Sequence, residues 1–350
     1  MKKKTYFFLL LILIVRIFLY AKSDLTGNKI VIRSRVLREP SIYDTSQLIR
    51  LQDYRAYVDK YPEIYYGDIV ELAGIVNGKK IEGAQVVKVL RSNNLLFTLR
   101  KKLISNYLNF LPLPHSAIVA GVTLGSQGSI PEELWDNLTR TGTAHIVVAS
   151  GTNVTYTAVF LLAILLTFLN RRKALQITFV GVWLYVAMSG FDPPLVRAAI
   201  MGSIVFFGQI FGRVINTLNI LFVSIFLMLL FSPSYIYEIG FWLSSLATFS
   251  LIVLEPKIYP LLSIIPEIIR KDFSTTLSAQ IAVTPIILYT FKQFNILSPI
   301  YNVLILWTVP PIMILGAISG LLGLLSPFLG HASSLLIYPF TSWFIFVTSH

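Results

Sequence analysis

The chain has 350 residues, of which 55% are apolar and 13% charged, with a mean hydropathy of +0.71; this excludes an ordinary soluble enzyme and describes a polypeptide that lives mostly in lipid. The net charge of +12 is concentrated early: residues 1–20 carry +4, residues 21–110 carry +6 and residues 112–350 only +2. With no cysteine, disulfides, thiolate catalysis and Cys-ligated zinc or iron–sulfur centres are excluded.

Lys2-Lys3-Lys4 followed by the apolar run Thr5–Tyr20 predicts an uncleaved membrane anchor over 1–21 with its basic end in the cytoplasm, because Tyr20-Ala21-Lys22-Ser23 fits a cleavage site poorly. Residues 22–96 then lie outside and read as a small β-barrel domain. Ile30, Ile32, Ser34 and Val36 alternate with Val31, Arg33, Arg35 and Leu37 at the period of a half-buried strand. A second strand, Gly67–Val76, runs into the hairpin signal Asn77-Gly78, and Val86–Leu90 supplies the return. Tyr43–Tyr66 between them is aromatic and polar. Residues 97–111 set Arg100, Lys101 and Lys102 beside Leu103, Ile104, Leu108 and Phe110, which predicts an amphipathic helix lying on a membrane surface.

From residue 112 onward, apolar runs predict spans near 143–169, 174–190, 197–212, 215–231, 241–255, 274–291, 299–317 and 318–350, the last as one or two segments. The groups Arg171-Arg172-Lys173, Arg213, and Lys257 with Arg270-Lys271 fall on alternate connections, all on the side of Lys2–Lys4 if each span crosses once. Ser129-Ile130-Pro131-Glu132 is a capping-box pattern that predicts a short polar helix over 131–140. The fold class expected is a polytopic α-helical membrane protein with a small extracytoplasmic β-barrel domain near its N-terminus.

The first long apolar run is interrupted at Ser150-Gly151-Thr152-Asn153. Two readings stand. One is a helix break, whose freed backbone groups must face protein or water and whose second half, starting at Gly151, would offer N–H groups to an anion such as a phosphate. The other is plain packing of small residues at a close helix crossing. His145 and Ser150 raise the idea of a membrane-buried dyad, but five residues apart on one helix they lean to opposite faces, and a structural His145 held by a neighbouring helix is favoured. Asp192-Pro193-Pro194 stops a helix and Arg197 opens the next, which would bias a path toward anions; the bland reading is a snorkelling arginine. Asn216, Asn219, Gln280 and Asn302 either line the same interior or join helices, and Glu238 reads as a cap. The four histidines are scattered, with no metal-site or phosphate-loop spacing, so neither a metal, a cofactor nor a nucleotide-driven motor is expected.

Thr141-Gly142-Thr143-Ala144-His145 through Ser150-Gly151, Pro194-Leu195-Val196-Arg197-Ala198-Ala199, Asn216-Thr217-Leu218-Asn219, Gly240-Phe241-Trp242-Leu243-Ser244-Ser245 and Ser298-Pro299-Ile300-Tyr301-Asn302 occur in that order. In this the chain resembles the ComEC family of competence proteins, inner-membrane channels for DNA uptake in natural transformation. The likeness covers 112–350, and the barrel before it looks like the OB-fold module that the family carries outside the membrane. Asn153 stands where many members have histidine, and Thr152 replaces their leucine, so a role for that histidine does not carry over. Longer members end in a metallo-β-lactamase-like domain; none is present here, the chain stops at His350 directly after an apolar run as a truncated record would, and no nuclease or other enzymatic activity is expected of it.

The resemblance implies a multi-pass channel of the cytoplasmic membrane that admits single-stranded DNA. His145, Ser150, Gly151, Asn153, Arg197, Asn219 and Asn302 are expected along the DNA path, with no catalytic residue. Expected partners are single-stranded DNA, membrane lipid, a DNA receptor outside, a helicase-type motor and single-strand-binding proteins inside, a separate nuclease, and further copies of the chain. In the outer module, Tyr54, Tyr57, Tyr61, Tyr65 and Tyr66 either stack bases, at about 1–3 kcal/mol each, or form a membrane-interface belt or barrel core. A small-anion secondary transporter and an intramembrane serine hydrolase built on Ser150 are the alternatives.

Overall fold

The computed structural model describes residues 12–18, 20, 29–42, 45–51, 54–213, 216–292 and 295–349. Lys2–Lys4 and most of the predicted anchor lie outside the described residues, as does His350. Residues 12–18 form a helical segment, α1, whose Arg16 Nε donates to Leu230 O at 3.3 Å.

Six strands follow: β1 (Lys29–Arg35), β2 (Ser41–Ile42), β3 (Ser46–Arg50), β4 (Arg55–Asp59), β5 (Ile69–Asn77) and β6 (Lys80–Leu90), in the order β1-β5-β6-β4-β3-β2. All pairs are antiparallel except β4 with β6. The β5–β6 hairpin turns where predicted, with Asn77 opposite Lys80 and Gly78 at φ 59°, a left-handed conformation glycine takes without a Cβ penalty. Alternation along β4 and β5 turns Ala56, Val58, Val70, Leu72 and Val76 inward onto Val36, Ile49 and Ile81. Tyr43–Tyr66, polar to the eye, contributes β3 and β4: the inward residues are too few and too mixed with Gln47, Tyr57 and Asp59 to read as strands.

The predicted OB-like β-barrel is not closed. β1 and β2 end the order at opposite edges and do not pair with each other. The segment between them is otherwise engaged: Val36 N–H donates to Asp68 O, Arg38 and Glu39 bind the helical body, and Pro40 has no N–H to offer a ladder.

The helical body comprises α2 (Leu95–Phe110), α3 (His115–Leu124), α4 (Glu132–Thr141), α5 (Ala144–Val147), α6 (Gly151–Phe168), α7 (Arg171–Ser189), α8 (Pro193–Ile210), α9 (Thr217–Phe231), α10 (Ile239–Val253), α11 (Glu255–Leu261), α12 (Glu267–Phe291), α13 (Ser298–Leu306), α14 (Val309–Leu325), α15 (Pro327–Ser334) and α16 (Tyr338–Ser349). One core joins α2–α5 to α13, α14 and α16 through Tyr107, Ile118, Leu138, Ile312 and Phe344. A second joins α6–α10 through Val154, Val186, Leu195, Met228 and Phe241. Every residue of α3 is buried, and its polar His115 and Thr123 bond Thr341 and Val119 O inside the protein.

Among the described residues two helices, α6 and α8, are long and apolar enough to cross a membrane, and up to five spans result if the bent pairs α10/α11 (56°), α13/α14 (45°) and α15/α16 (48°) each count as one. Eight predicted runs thus become fewer full-length helices. Prolines open α11, α14 and α15, where the missing N–H and ring clash break the ladder. The predicted surface helix over 97–111 is α2, but its basic residues are divided: Lys101 and Lys102 are exposed while Arg100 is buried at 3% exposure. The capping box does not form. Helix α4 starts at Glu132 after Pro131 with no side-chain cap, and Ser129 Oγ is buried without a partner.

Candidate functional site

The interruption at Ser150 is a true helix break. Helix α5 ends at Val147, Ser150 is extended (φ −118°, ψ 162°), and α6 starts at Gly151 with no side chain capping it. Its first N–H groups are therefore available apart from the short Asn153 N–H to Ser150 O bond of 3.2 Å. Ser150 Oγ bonds Thr152 Oγ1 at 2.5 Å and Asn153 Oδ1 at 3.0 Å, and buried Asn153 donates through Nδ2 to Val122 O at 3.0 Å. Asn153 thus ties the break to α3.

Arg197 comes to this break from α8. A Cβ on Gly151 would lie 3.1 Å from Arg197 Nη2 and 3.3 Å from the Ala198 methyl, so only glycine admits the guanidinium at this distance without displacing it. Arg197 Nε donates to Ser244 Oγ of α10 at 2.8 Å, and Nη1 meets Met201 Sδ at 3.4 Å. The residue is 9% exposed, and among the described residues no carboxylate lies within ion-pair distance of it. An arginine buried without an acid costs several kcal/mol, and the bare N-terminus of α6 adds partial positive charge beside it. The arrangement concentrates uncompensated positive charge at one buried spot. Near Asn153, the side-chain oxygens of Tyr185 and Ser189 on α7 are buried, the tyrosine facing Asn153 and Ser189.

Two of the helices that meet at Arg197, α8 and α10, are tied at their N-terminal ends by Arg38. Its Nε lies 3.2 Å from Asp192, just before α8, and its Nη1 2.5 Å from Glu238, just before α10. Burial alone would lower the Arg38 pKa; Asp192 and Glu238 outweigh it and hold the guanidinium above its ordinary value. Burial pushes both carboxyls up, and Arg38 offsets this in part. Next to it, Glu39 accepts from Arg100 (3.0 Å), Ser126 (2.8 Å) and Gln127 N–H (3.2 Å), while Arg100 also donates to Leu124 O and Met188 O. The strand module is so fastened to the ends of α7, α8 and α10.

Among the sequence candidates, Ser150, Gly151, Asn153 and Arg197 come together. His145 does not join them: its Nδ1 lies 3.0 Å from Gly142 O in its own preceding turn, not against a neighbouring helix, and the side chain is exposed. No histidine contacts Ser150 among the described residues, so a serine–histidine dyad is not assembled. Asn219 opens α9 beyond the far end of α8, about 20 Å of helix from Arg197. Asn302 is buried in α13 with Oδ1 unpartnered, in the other core. Of the tyrosines, Tyr57 and Tyr61 are exposed, whereas Tyr66 is buried and donates to Ala187 O. Sequence reasoning missed Ser244, Arg38 and Glu39; Ser244 sat inside a quoted motif, but nothing local marks Arg38-Glu39.

Residues 122–350 match the sequence model of the family described as Competence protein. The chain belongs to the competence protein family, of the ComEC/Rec2 type. It is 29% identical over 228 residues to ComE operon protein 3 of Bacillus subtilis, covering 65% of this chain and 29% of that protein. It is also 24% identical over 208 residues to YcaI of Escherichia coli (55% and 27%), and 29% identical over 212 residues to an Aquifex aeolicus protein (56% and 49%). The chain thus aligns with less than half the length of each of these relatives. No solved structure matches it. The break, Arg197, Asp192, Glu238 and Ser244 all fall inside the family region; Arg38, Glu39 and the sheet precede it.

Proposed function

We propose that this competence-family chain forms part of the route by which a DNA single strand crosses the cytoplasmic membrane, acting as a conduit rather than as an enzyme. The observation that carries the reading is Arg197: a buried guanidinium with no acid, set against the uncapped start of α6. A strand passing through offers one phosphate after another, and each would neutralise this spot briefly. Sequence-blind passage needs such weak contacts, since a phosphate that binds must also leave.

In this reading the body is multi-pass, the N-terminus is cytoplasmic, and the sheet module, OB-like in role, stands outside where the +3 charge of residues 22–96 attracts phosphates without regard to sequence. A receptor would deliver DNA to it, and a motor and single-strand-binding proteins would take the strand up inside. The test is uptake of labelled DNA by cells whose only copy carries Arg197→Glu or Arg197→Lys. The glutamate variant is expected to insert normally and lose uptake at least tenfold, and the lysine variant to retain part of it. Normal uptake with Arg197→Glu would remove Arg197 from the path. Uptake of a small labelled anion, but not of DNA, would favour a secondary transporter instead.

A further inference from the structure

Helices α7 and α8 run antiparallel, and the start of α7 and the end of α8 leave a shallow groove of about 290 Å3 between them. Apart from Gln176 its walls are apolar: Leu175, Phe179 and Val180 from α7, and Phe206, Phe207 and Ile210 from α8, with the Phe179 and Phe207 rings edge-to-face at 5.4 Å. Four cations gather at one end of it. Arg171, Arg172 and Lys173 form the first turn of α7, and Arg213 follows the end of α8; all four are exposed. Arg171 Nη2 donates to Gln209 Oε1 at 3.3 Å across that end, and among the described residues none of the four has a carboxylate within ion-pair distance.

We infer that this groove is a binding site for an anionic phospholipid, with the headgroup phosphate on the Arg171–Lys173 and Arg213 cluster and one acyl chain along the Phe179–Phe207 wall. The inference rests on the membrane-embedded part of the reading above, but not on DNA passage. Length fits it: from Arg171 to Val180 the helix rises about 13 Å, close to half of a hydrocarbon layer of about 30 Å, which is one leaflet. Charge fits it too. Four unpaired cations beside an apolar slot complement a molecule that is anionic at one end and greasy along the rest, and each such cation near a membrane surface strengthens attraction to anionic lipid. A free phosphate would leave the slot empty, and a nucleic acid has no acyl chain to fill it.

The full chain is reconstituted in nanodiscs with equal phosphatidylglycerol and phosphatidylcholine, extracted, and its retained lipid quantified by mass spectrometry. Phosphatidylglycerol is expected to be enriched about tenfold at low salt, and less as salt rises. The combined variant Arg171→Gln, Arg172→Gln, Lys173→Gln and Arg213→Gln is expected to lose the enrichment while staying monodisperse. Val180→Trp, which fills the slot and leaves every cation in place, is expected to lose retained lipid as well. Equal retention of the two lipids by the unmodified chain would overturn the site, and so would unchanged retention in Val180→Trp. Displacement by inorganic phosphate or by a single-stranded oligonucleotide would reassign the cluster to a bare anion or to nucleic acid. A chain that stays monodisperse without detergent and holds no lipid of either kind would refute the membrane-embedded reading itself.

Discussion

Replacing Arg38 with glutamine tests the link between the strand module and the interior. The guanidinium ion-pairs with Asp192 at 3.2 Å and Glu238 at 2.5 Å, and the three side chains are 17%, 23% and 27% exposed. Losing one partner of a fully buried pair costs roughly 3–5 kcal/mol and of a surface pair 0–1, so partial exposure places Arg38→Gln at about 2 kcal/mol. The penalty should depend on pH, and its sign is fixed. Burial raises both carboxyls in the folded state and Arg38 opposes it, so the substitution lifts them further. A folded-state carboxyl pKa above the unfolded value means stability lost as pH rises and regained as pH falls through the folded pKa. Denaturant titration of the purified chain in detergent should therefore show the deficit shrinking from neutral pH toward pH 5. Because Asp192 and Glu238 precede the helices that carry Arg197 and Ser244, DNA uptake should fall beyond what the stability loss accounts for. A double-mutant cycle of Arg38→Gln with Glu238→Gln should return a coupling of about 1 kcal/mol or more. Zero coupling together with a pH-independent deficit would refute this account.

Gly151→Ala puts a methyl against Arg197 Nη2 and Ala198, so it should change stability by under about 1 kcal/mol yet lower DNA uptake several-fold; uptake equal to the parent would show that the guanidinium need not approach the break. Arg100→Met should cost about 3–5 kcal/mol in a denaturant titration, because Glu39 and the carbonyls of Leu124 and Met188 lose their donor, whereas exposed Lys102→Gln should stay within about 0.5. Burial pushes the Tyr66 hydroxyl up to about 12, so it remains a donor to Ala187 O at neutral pH, and Tyr66→Phe should cost about 1 kcal/mol by the same measurement.

The parts of the fold legible in the sequence are those set by neighbours along the chain. Alternation marked β1, Asn77-Gly78 marked the β5–β6 turn, and Ser150-Gly151 raised the break as one of two readings, because each depends on residues a few positions apart. What the sequence hid depends on distant partners. Arg100 stands beside Lys101 and Lys102 and reads as one of three surface cations, yet it is buried because Glu39, 61 residues away, and the ends of α3 and α7 accept its protons. Ser129 and Glu132 have capping-box spacing, but Ser129 Oγ finds no backbone N–H once Pro131 takes the N-cap position. Strands β3 and β4 were obscured because Gln47, polar by type, is buried and spends its amide on Asp59 O, Lys60 O and Pro62 O.

Three arginines with under a fifth of their surface exposed occur in one region, and their partners differ in kind. Arg38 has two carboxylates; Arg100 has one carboxylate and two carbonyls. Both are charges already compensated, and a passing phosphate would have to displace a bound acid to reach them. Arg197 has a serine hydroxyl and a thioether, and its Nη2 forms no hydrogen bond among the described residues. Serine orients the guanidinium without neutralising it. A carboxylate in its place would stabilise the fold and close the site to anions, so the missing acid is the feature that a phosphate-conducting interior requires and a purely structural arginine does not. Ser244→Asp is the corresponding test. It should raise stability by supplying the missing acid, and at the same time block DNA uptake; a variant that is stabilised but still takes up DNA at the parent rate would mean that Arg197 serves packing alone.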